Sequence, residues 1–452
     1  MNTTLQHLEE LIQAHRVEQL AKDTGWCKRR GKISPREFVY SLLGQASALD
    51  LTLASQAATL SQPVSRQALD QRYTSEAVAL LQAVFREALA KSLDWKPDSV
   101  MTDLLGEHFQ AIRIFDSTHC PCSESLAKLF PGYGGGGSKA GLKVLLGYQY
   151  GLGRLDSLTV LPANVSDQSL AHYACQQLSA GELGLFDKGF YKAQALRALM
   201  ERGAFFLMPW HHGVSVWTGL PDGQPGTLVE VAKHLKASQQ SREEWSAVLL
   251  GKDSESRLGP LRLVAFRLSD ESANRRRAAL REKYRTRGKQ PSQEALELAG
   301  WLILLTNAPL QTLPSAAMAY LYRARWQVEL IFKQWKSVLR LDVLPSQNRH
   351  RVECQLWGRL LLGLLVSVCH QHANARSLEL YQREISFLKL ARQFQQHCHT
   401  LVQALMSQRE RFQTEFRRLW QRILKLARKE RQPSRPTTWE NLCSQWLELT
   451  SA

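Results

Sequence analysis

Between positions 111 and 210 short apolar runs alternate with turn and helix signals, and this alternation limits the possible folds more than any other feature. AIRIFDST (111–118) is an apolar run that ends in an acid. GLKVLLGYQY (141–150) and RLDSLTVLPAN (154–164) follow, separated by Gly151-Leu152-Gly153, and read as an antiparallel hairpin. A helix fits Asp167–Ala180, with Ser166 or Asp167 as its cap. GELGLFD (181–187) reads as a fourth strand, Ala193–Arg202 as a helix and AFFLMPW (204–210) as a fifth strand. Three strands, a helix, a strand, a helix and a strand predict a mixed α/β sheet rather than a simple parallel one.

That order is the one expected of an RNase H-like core. The first part of the core is expected over 105–213, and 214–300 interrupts it with strand-like VSVWTGL, SAVLLG and LRLVAFRL and a basic stretch, Asn274–Lys289. WLILLTN (301–307) returns to the core, and 301–345 completes it with one long helix, Ala316–Leu339. Residues 1–104 read as a helical region. Within it Leu51–Leu60 and Val64–Arg72, joined by Ser61-Gln62-Pro63, fit either a DNA-reading helix-turn-helix or two helices of an ordinary bundle. Lys28–Lys32 is a phosphate-contact candidate or a solvated loop. Residues 346–452 read as helical and basic.

Charge narrows the partners. Lys and Arg number 58 against 41 Asp and Glu, a net charge of +17, which points to a polyanion such as nucleic acid. The polar N-terminus lacks the apolar segment of a secretory signal. The longest nearly uncharged apolar run, Leu360–Cys369, is short of the ~20 residues a membrane span needs and reads as a buried helix. Eight scattered cysteines do not form a disulfide framework, so a reducing cytoplasm and no membrane association are expected.

The helix MAYLYRARWQVELIFKQWKSVL carries the chemistry. At ~100° per residue, Tyr322, Arg325, Glu329, Lys333 and Lys336 fall within an ~80° stripe. Glu329 and Lys333 alone would be an ordinary salt-bridged face; Tyr322 and Arg325 are not explained that way. Asp116 ends the first expected strand and Asp187 the fourth, where α/β sheets gather reactive groups. Each acid alone could merely cap a turn. Together with Glu329 they offer the hard oxygens that Mg²⁺ takes. Two such ions ~3.5–4 Å apart can activate an attacking oxygen and stabilise the leaving one in phosphoryl displacement. Arg325 and Lys336 would bind phosphates beside them.

The spacing Tyr322, Arg325, Glu329, Lys336 resembles the Tyr-Arg-Glu-Lys signature of the IS-four group of bacterial insertion-sequence transposases, DDE enzymes with an RNase H-like core. Phe115-Asp116-Ser117-Thr118 and Asp187-Lys188-Gly189-Phe190 resemble that group's first and second Asp blocks. The 142 positions from Asp187 to Glu329 leave room for the group's β-rich insertion. The resemblance covers roughly 110–345, the N-terminal helices loosely and the tail hardly at all. It implies that Asp116, Asp187 and Glu329 bind metal and that Tyr322, Arg325 and Lys336 contact transposon-end DNA. It implies Mg²⁺, with Mn²⁺ able to substitute, double-stranded DNA as transposon ends and target, and at least a homodimer in the active complex. Members that cut through a hairpin stack an extruded base on aromatics; Trp301 and Trp326 are candidates for that role, or two core tryptophans.

Three weaker motifs remain. GYGGGGSK (132–139) misses the phosphate-loop pattern and reads as a loop between the first two strands. His119-Cys120-Pro121-Cys122 and His397-Cys398-His399 lack the usual zinc spacing. His211-His212 reads as a solvated turn, and Asp103, Asp156 and Asp167 are rival acids without a matched context. The expected function is metal-dependent cleavage of element ends and strand transfer. The alternatives are another RNase H-like nuclease or resolvase, and a silent DNA-binding relic.

Overall fold

The computed structural model describes residues 2–29, 31–46, 52–95, 106–133, 137–220, 224–251, 253 and 257–430. Arg30, Leu51, Asp103, Gly134–Gly136 and the tail beyond 430 lie outside the described residues. The chain forms two compact units. Unit 1 comprises Met1–Ser99, Ser117–Val165 and Gln327–Gln432; unit 2 comprises Val100–Asp116, Ser166–Trp326 and Pro433–Ala452.

Unit 1 is mainly helical. It contains α1 (Asn2–Leu11), α2 (Ala14–Asp23), α3 (Pro35–Ala46), α4 (Leu53–Ala57), α5 (Arg66–Asp70) and α6 (Ser75–Ser92). In unit 2 α7 (Asp167–Gln176), α8 (Ala193–Glu201), α9 (Val231–Ala237), α10 (Asp270–Arg285), α11 (Gln293–Leu298) and α12 (Ser315–Arg323) come next. Unit 1 resumes within α13 (Trp326–Leu339) and adds α14 (Arg349–Tyr381), α15 (Phe387–Ser407) and α16 (Arg409–Leu426). Side-chain caps start many of these helices. Ser65, Thr74, Ser166, Ser269, Ser292, Asn348 and Ser386 each accept a hydrogen bond from the backbone N–H three residues on.

Helix α14 is apolar all round because it is surrounded: it packs against α1, α3, α6, α15, α16 and β3 (Arg154–Pro162). Among the described residues it is the one helix long and apolar enough to cross a membrane, yet its apolar stretch is buried inside the protein. The apolar face of α13 lies on it, with Trp335 fully buried close to Gly363. The short α4 and α5 stand where the helix-turn-helix reading put two helices. Arg72 is drawn out of that surface, stacked 3.9 Å over Trp26, while Arg66, Gln67 and Gln71 stay exposed. Lys28, Arg29 and Lys32 are exposed as well.

Ten strands are present among the described residues. They are β1 (Ile112–Pro121), β2 (Gly141–Gln149), β3, β4 (Leu183–Leu185), β5 (Phe205–Pro209), β6 (Val216–Gly219), β7 (Pro225–Leu228), β8 (Arg242–Leu250), β9 (Leu258–Arg267) and β10 (Trp301–Thr306). In unit 1 the second half of β1 neighbours β2, and β2 pairs antiparallel with β3 as the hairpin reading expects. In unit 2 the order is β1-β4-β5-β10-β9-β8-β6-β7. The first three run parallel and every later pair is antiparallel. The sheet is therefore mixed, in line with the α/β expectation. Segment 214–300 adds its strands to this sheet beyond β10, and its basic stretch is helical, in α10.

Two expectations need correction. Asp116 does not end β1; it is the fifth of ten residues, because the polar run after it still pairs. Nor is Ala316–Leu339 one helix. Residues 324–325 form a turn in which the N–H groups of Ala324 and Arg325 reach back three residues, to Leu321 and Tyr322, rather than four.

A Cβ at Gly363 would stand 2.7 Å from the Trp335 ring. Gly363→Ala is therefore expected to destabilise the protein by about 1–3 kcal/mol through overpacking, read as a lower denaturation midpoint.

Candidate active site

The site begins with two neighbouring parallel strands. Ile112, Arg113 and Ile114 on β1 pair with Leu183, Gly184 and Leu185 on β4. One position further, Phe115 and Phe186 stack with centroids 5.6 Å apart and planes 17° from parallel, both buried. The next position on each chain is Asp116 and Asp187. Side chains at matched positions of parallel strands share a face, with backbones ~4.8 Å apart. The register thus sets two carboxylates side by side on one face of the sheet.

Asp187 also begins a short 3₁₀ turn, Lys188–Phe190, but its side chain makes no capping bond. The turn-cap explanation therefore does not account for this acid. Asp116 has Arg325 for company: Nη1 lies 3.9 Å from Oδ2, with side-chain exposures of 14% and 20%. Arg325 in turn lies 5.8 Å from the Tyr322 ring. A half-buried guanidinium beside paired acids lowers their mutual repulsion and is permanently charged.

The aromatic candidates differ. Trp301 is 6% exposed, with Arg267 stacked 4.4 Å over its ring, and its carbonyl accepts from Arg276 Nη1 at 3.0 Å. Trp326 is 55% exposed.

Unit 1 carries the other expected residues on α13. Glu329 is in the first turn and Lys336 in the last, both partly exposed, and Lys333 is exposed. The opposite face, Val328, Ile331, Phe332, Trp335, Val338 and Leu339, is buried. Burial, with Lys336 and Lys143 beside it, pushes the His119 pKa down. Burial pushes the Cys120 thiol up to about 12, so it stays protonated. The second His-Cys-His motif contributes a buried Cys398 that donates to the Leu43 carbonyl.

Sequence patterns do not single out Arg359. It is 1% exposed on α14, and burial pushes its pKa down to about 10. It precedes the apolar run 360–369, and nothing in that pattern marks a buried cation. Lys188 is a second charged group that the motifs leave unmarked, although it directly follows Asp187.

Among the described residues no three His, Cys, Asp or Glu side chains form a ready metal cage. Mg²⁺ does not need one: it is commonly held by one or two carboxylates plus substrate phosphates and water. The strand pair Asp116 and Asp187 fits that requirement.

Residues 107–365 match the family model described as the transposase DDE domain. The chain belongs to the DDE transposase family. It is similar along most of its length to named relatives. It is 28% identical to the transposase for insertion sequence element IS231B of Bacillus thuringiensis subsp. berliner, over 94% of this chain and 91% of that protein. It is 27% identical to the IS231C transposase of the same organism, over 86% of this chain and 84% of that one. The transposase for IS1151 of Clostridium perfringens is 23% identical, over 86% of each chain. The chain is thus a bacterial insertion-sequence transposase, an enzyme that acts on DNA. Dependence on a divalent metal comes with the DDE domain.

The Phe115–Phe186 stack holds the register of the transposase's acids. Phe186→Ala is expected to cost about 3–5 kcal/mol by emptying a buried aromatic site. Chemical denaturation measures the loss, and DNA cleavage by the folded fraction should fall with it.

Proposed function

We propose that this transposase cleaves the ends of its element by hydrolysis and joins the freed 3′-hydroxyl to target DNA, with Asp116, Asp187 and Glu329 as its acidic triad. The observation that carries the reading is the β1–β4 register, which puts Asp116 and Asp187 on one face with Arg325 beside Asp116. In the proposal two Mg²⁺ ions serve the reaction, with Mn²⁺ able to replace them; when bound, they polarise the attacking and leaving oxygens. Asp116 and Asp187 hold the reacting phosphate's oxygens in place through that shared charge. Glu329 completes the donor set. Arg325 and Lys336 bind phosphates of the transposon end, Tyr322 orients the strand, and Lys333 adds a further backbone contact.

Positioning and electrostatics supply most of the rate in phosphoryl transfer, so these fixed charges matter more than any covalent group. For an unstacked base, the exposed ring of Trp326 is the platform we favour. Trp301 could serve only if Arg267 left its face. The active complex is proposed to be a homodimer holding two inverted-repeat ends, working on the chromosome in the cytoplasm. Inverted repeats flanking the coding region, with short target duplications outside them, would support this reading.

Asp116→Asn, Asp187→Asn and Glu329→Gln are each expected to lower end cleavage by a factor of about 10³ or more, while affinity for end DNA stays within a few-fold. Chelation of divalent ions should stop the wild-type protein, and Mg²⁺ or Mn²⁺ should restore it. Metal-dependent cleavage that survives any one of the substitutions removes that residue from the triad.

A further inference from the structure

The third parallel strand of unit 2 reaches the same edge as the two acids. Leu185 on β4 pairs with Leu207 on β5, so two positions on, Asp187 is matched by Pro209. Two residues beyond Pro209 begins the pair His211-His212, both exposed. Their rings lie with centroids 5.5 Å apart and planes 1° from parallel. The turn that holds them is well tied. Val214 N–H donates to the His211 carbonyl, Trp210 Nε1 donates to the Val214 carbonyl at 3.1 Å, and Trp210 N–H donates to the Ile303 carbonyl. Gly213 N–H donates to His211 Nδ1 at 3.2 Å, which leaves the Nε2–H of that ring to an outside acceptor.

The surroundings of this pair are basic. Lys188, the residue after Asp187, and Lys283 on α10 both act electrostatically on His212. Against them stands one acid, Glu294 on α11. Exposed imidazoles and two ammonium groups beside the strand-end carboxylates repel one another unless an anion lies among them.

We infer that the His211–His212 turn, with Lys188 and Lys283, binds a backbone phosphate of the DNA strand next to the one held at Asp116 and Asp187. This rests on the active-site reading given under Proposed function. In free protein His212 is disfavoured as a cation, first by burial, then by His211 and Lys188, with Lys283 adding to this and Glu294 opposing it. A bound phosphate reverses that balance, so binding takes up protons and affinity rises as pH falls.

The test is the affinity of the full-length protein, without metal, for a duplex ending in the inverted repeat that flanks the coding sequence. It is measured against salt at about pH 6 and about pH 8. For the wild type, the plot of log affinity against log salt should be steeper at the lower pH by about 0.9 for each histidine that protonates. His211→Gln/His212→Gln should remove that difference and bind like the wild type at the higher pH. Glutamine at 211 keeps an acceptor for Gly213, and a melting curve checks that the fold is intact. An equal pH effect in the double variant, or none in the wild type, overturns the inference. Cleavage assays separate the two proposals: if the triad variants still cut but the pH effect maps to the histidines, the triad fails and this contact stands.

Discussion

The register between β1 and β4 governs the chemistry of this protein. Parallel strands point their ends the same way, and matched residues share a face. Once Phe115 and Phe186 stack in the core, the residue after each must emerge on the opposite face at the same level. Both residues are aspartates. A slip of one residue would turn one acid to the other face and put a carboxylate where a phenylalanine belongs. Burial of two large rings thus enforces the approach of two like charges, which alone would repel. The apolar core supplies the energy that charge repulsion opposes, and Arg325 at 3.9 Å from Asp116 reduces the opposition.

The net charge of +17 divides into two uses. Some cations are structural: Arg262 lies buried, donating to Glu244 and to the carbonyls of Ala308 and Leu313. Lys143 is buried and donates to the Val165 carbonyl, and Arg72 stacks on Trp26. These contribute nothing to a surface potential. Others are displayed. Helix α10 buries little besides Ala273, and Arg281, Lys283, Arg287 and Lys289 around its end are exposed. On α16 a buried row, Phe412, Phe416, Leu419, Trp420 and Ile423, backs a face rich in arginine. Displayed charge of this kind makes binding to DNA sensitive to salt and indifferent to sequence. Specific recognition has to come from the fewer groups held in fixed geometry.

Much of the core was legible because its signals are local. Alternating apolar runs marked β1 to β5 and β10, and Ser65 and Ser166 marked helix starts through their cap chemistry. The features that stayed hidden depend on long-range pairing. The polar residues after Asp116 look like a loop, yet they extend β1 to Pro121, and Cys122 bridges to Leu344, far along the chain. Strand β8 mixes exposed charges with a bulge at Ala247, whose φ of 54° no apolar pattern announces. Asp116 and Asp187 were legible as acids beside apolar strands; that they match in register was not, since register depends on pairing partners. Arg359 was invisible because burial of a cation contradicts every composition rule.

The turn at 324–325 alters what the Tyr-Arg-Glu-Lys spacing means physically. In one continuous helix the four residues would share a face and act as one stripe. Bonds that reach back three residues advance the chain by ~120° per residue instead of ~100°, so two such residues add roughly 40° of rotation to the helical repeat. Tyr322 and Arg325 then belong to the first segment, where Arg325 meets Asp116. Glu329, Lys333 and Lys336 belong to the second, where Lys336 acts on His119 and Cys120. The spacing therefore encodes two short constellations joined by a turn, each held by its own packing. A substitution that straightened the helix would leave all four residues present and still misdirect Arg325, because its direction is set by the turn and not by the helical repeat.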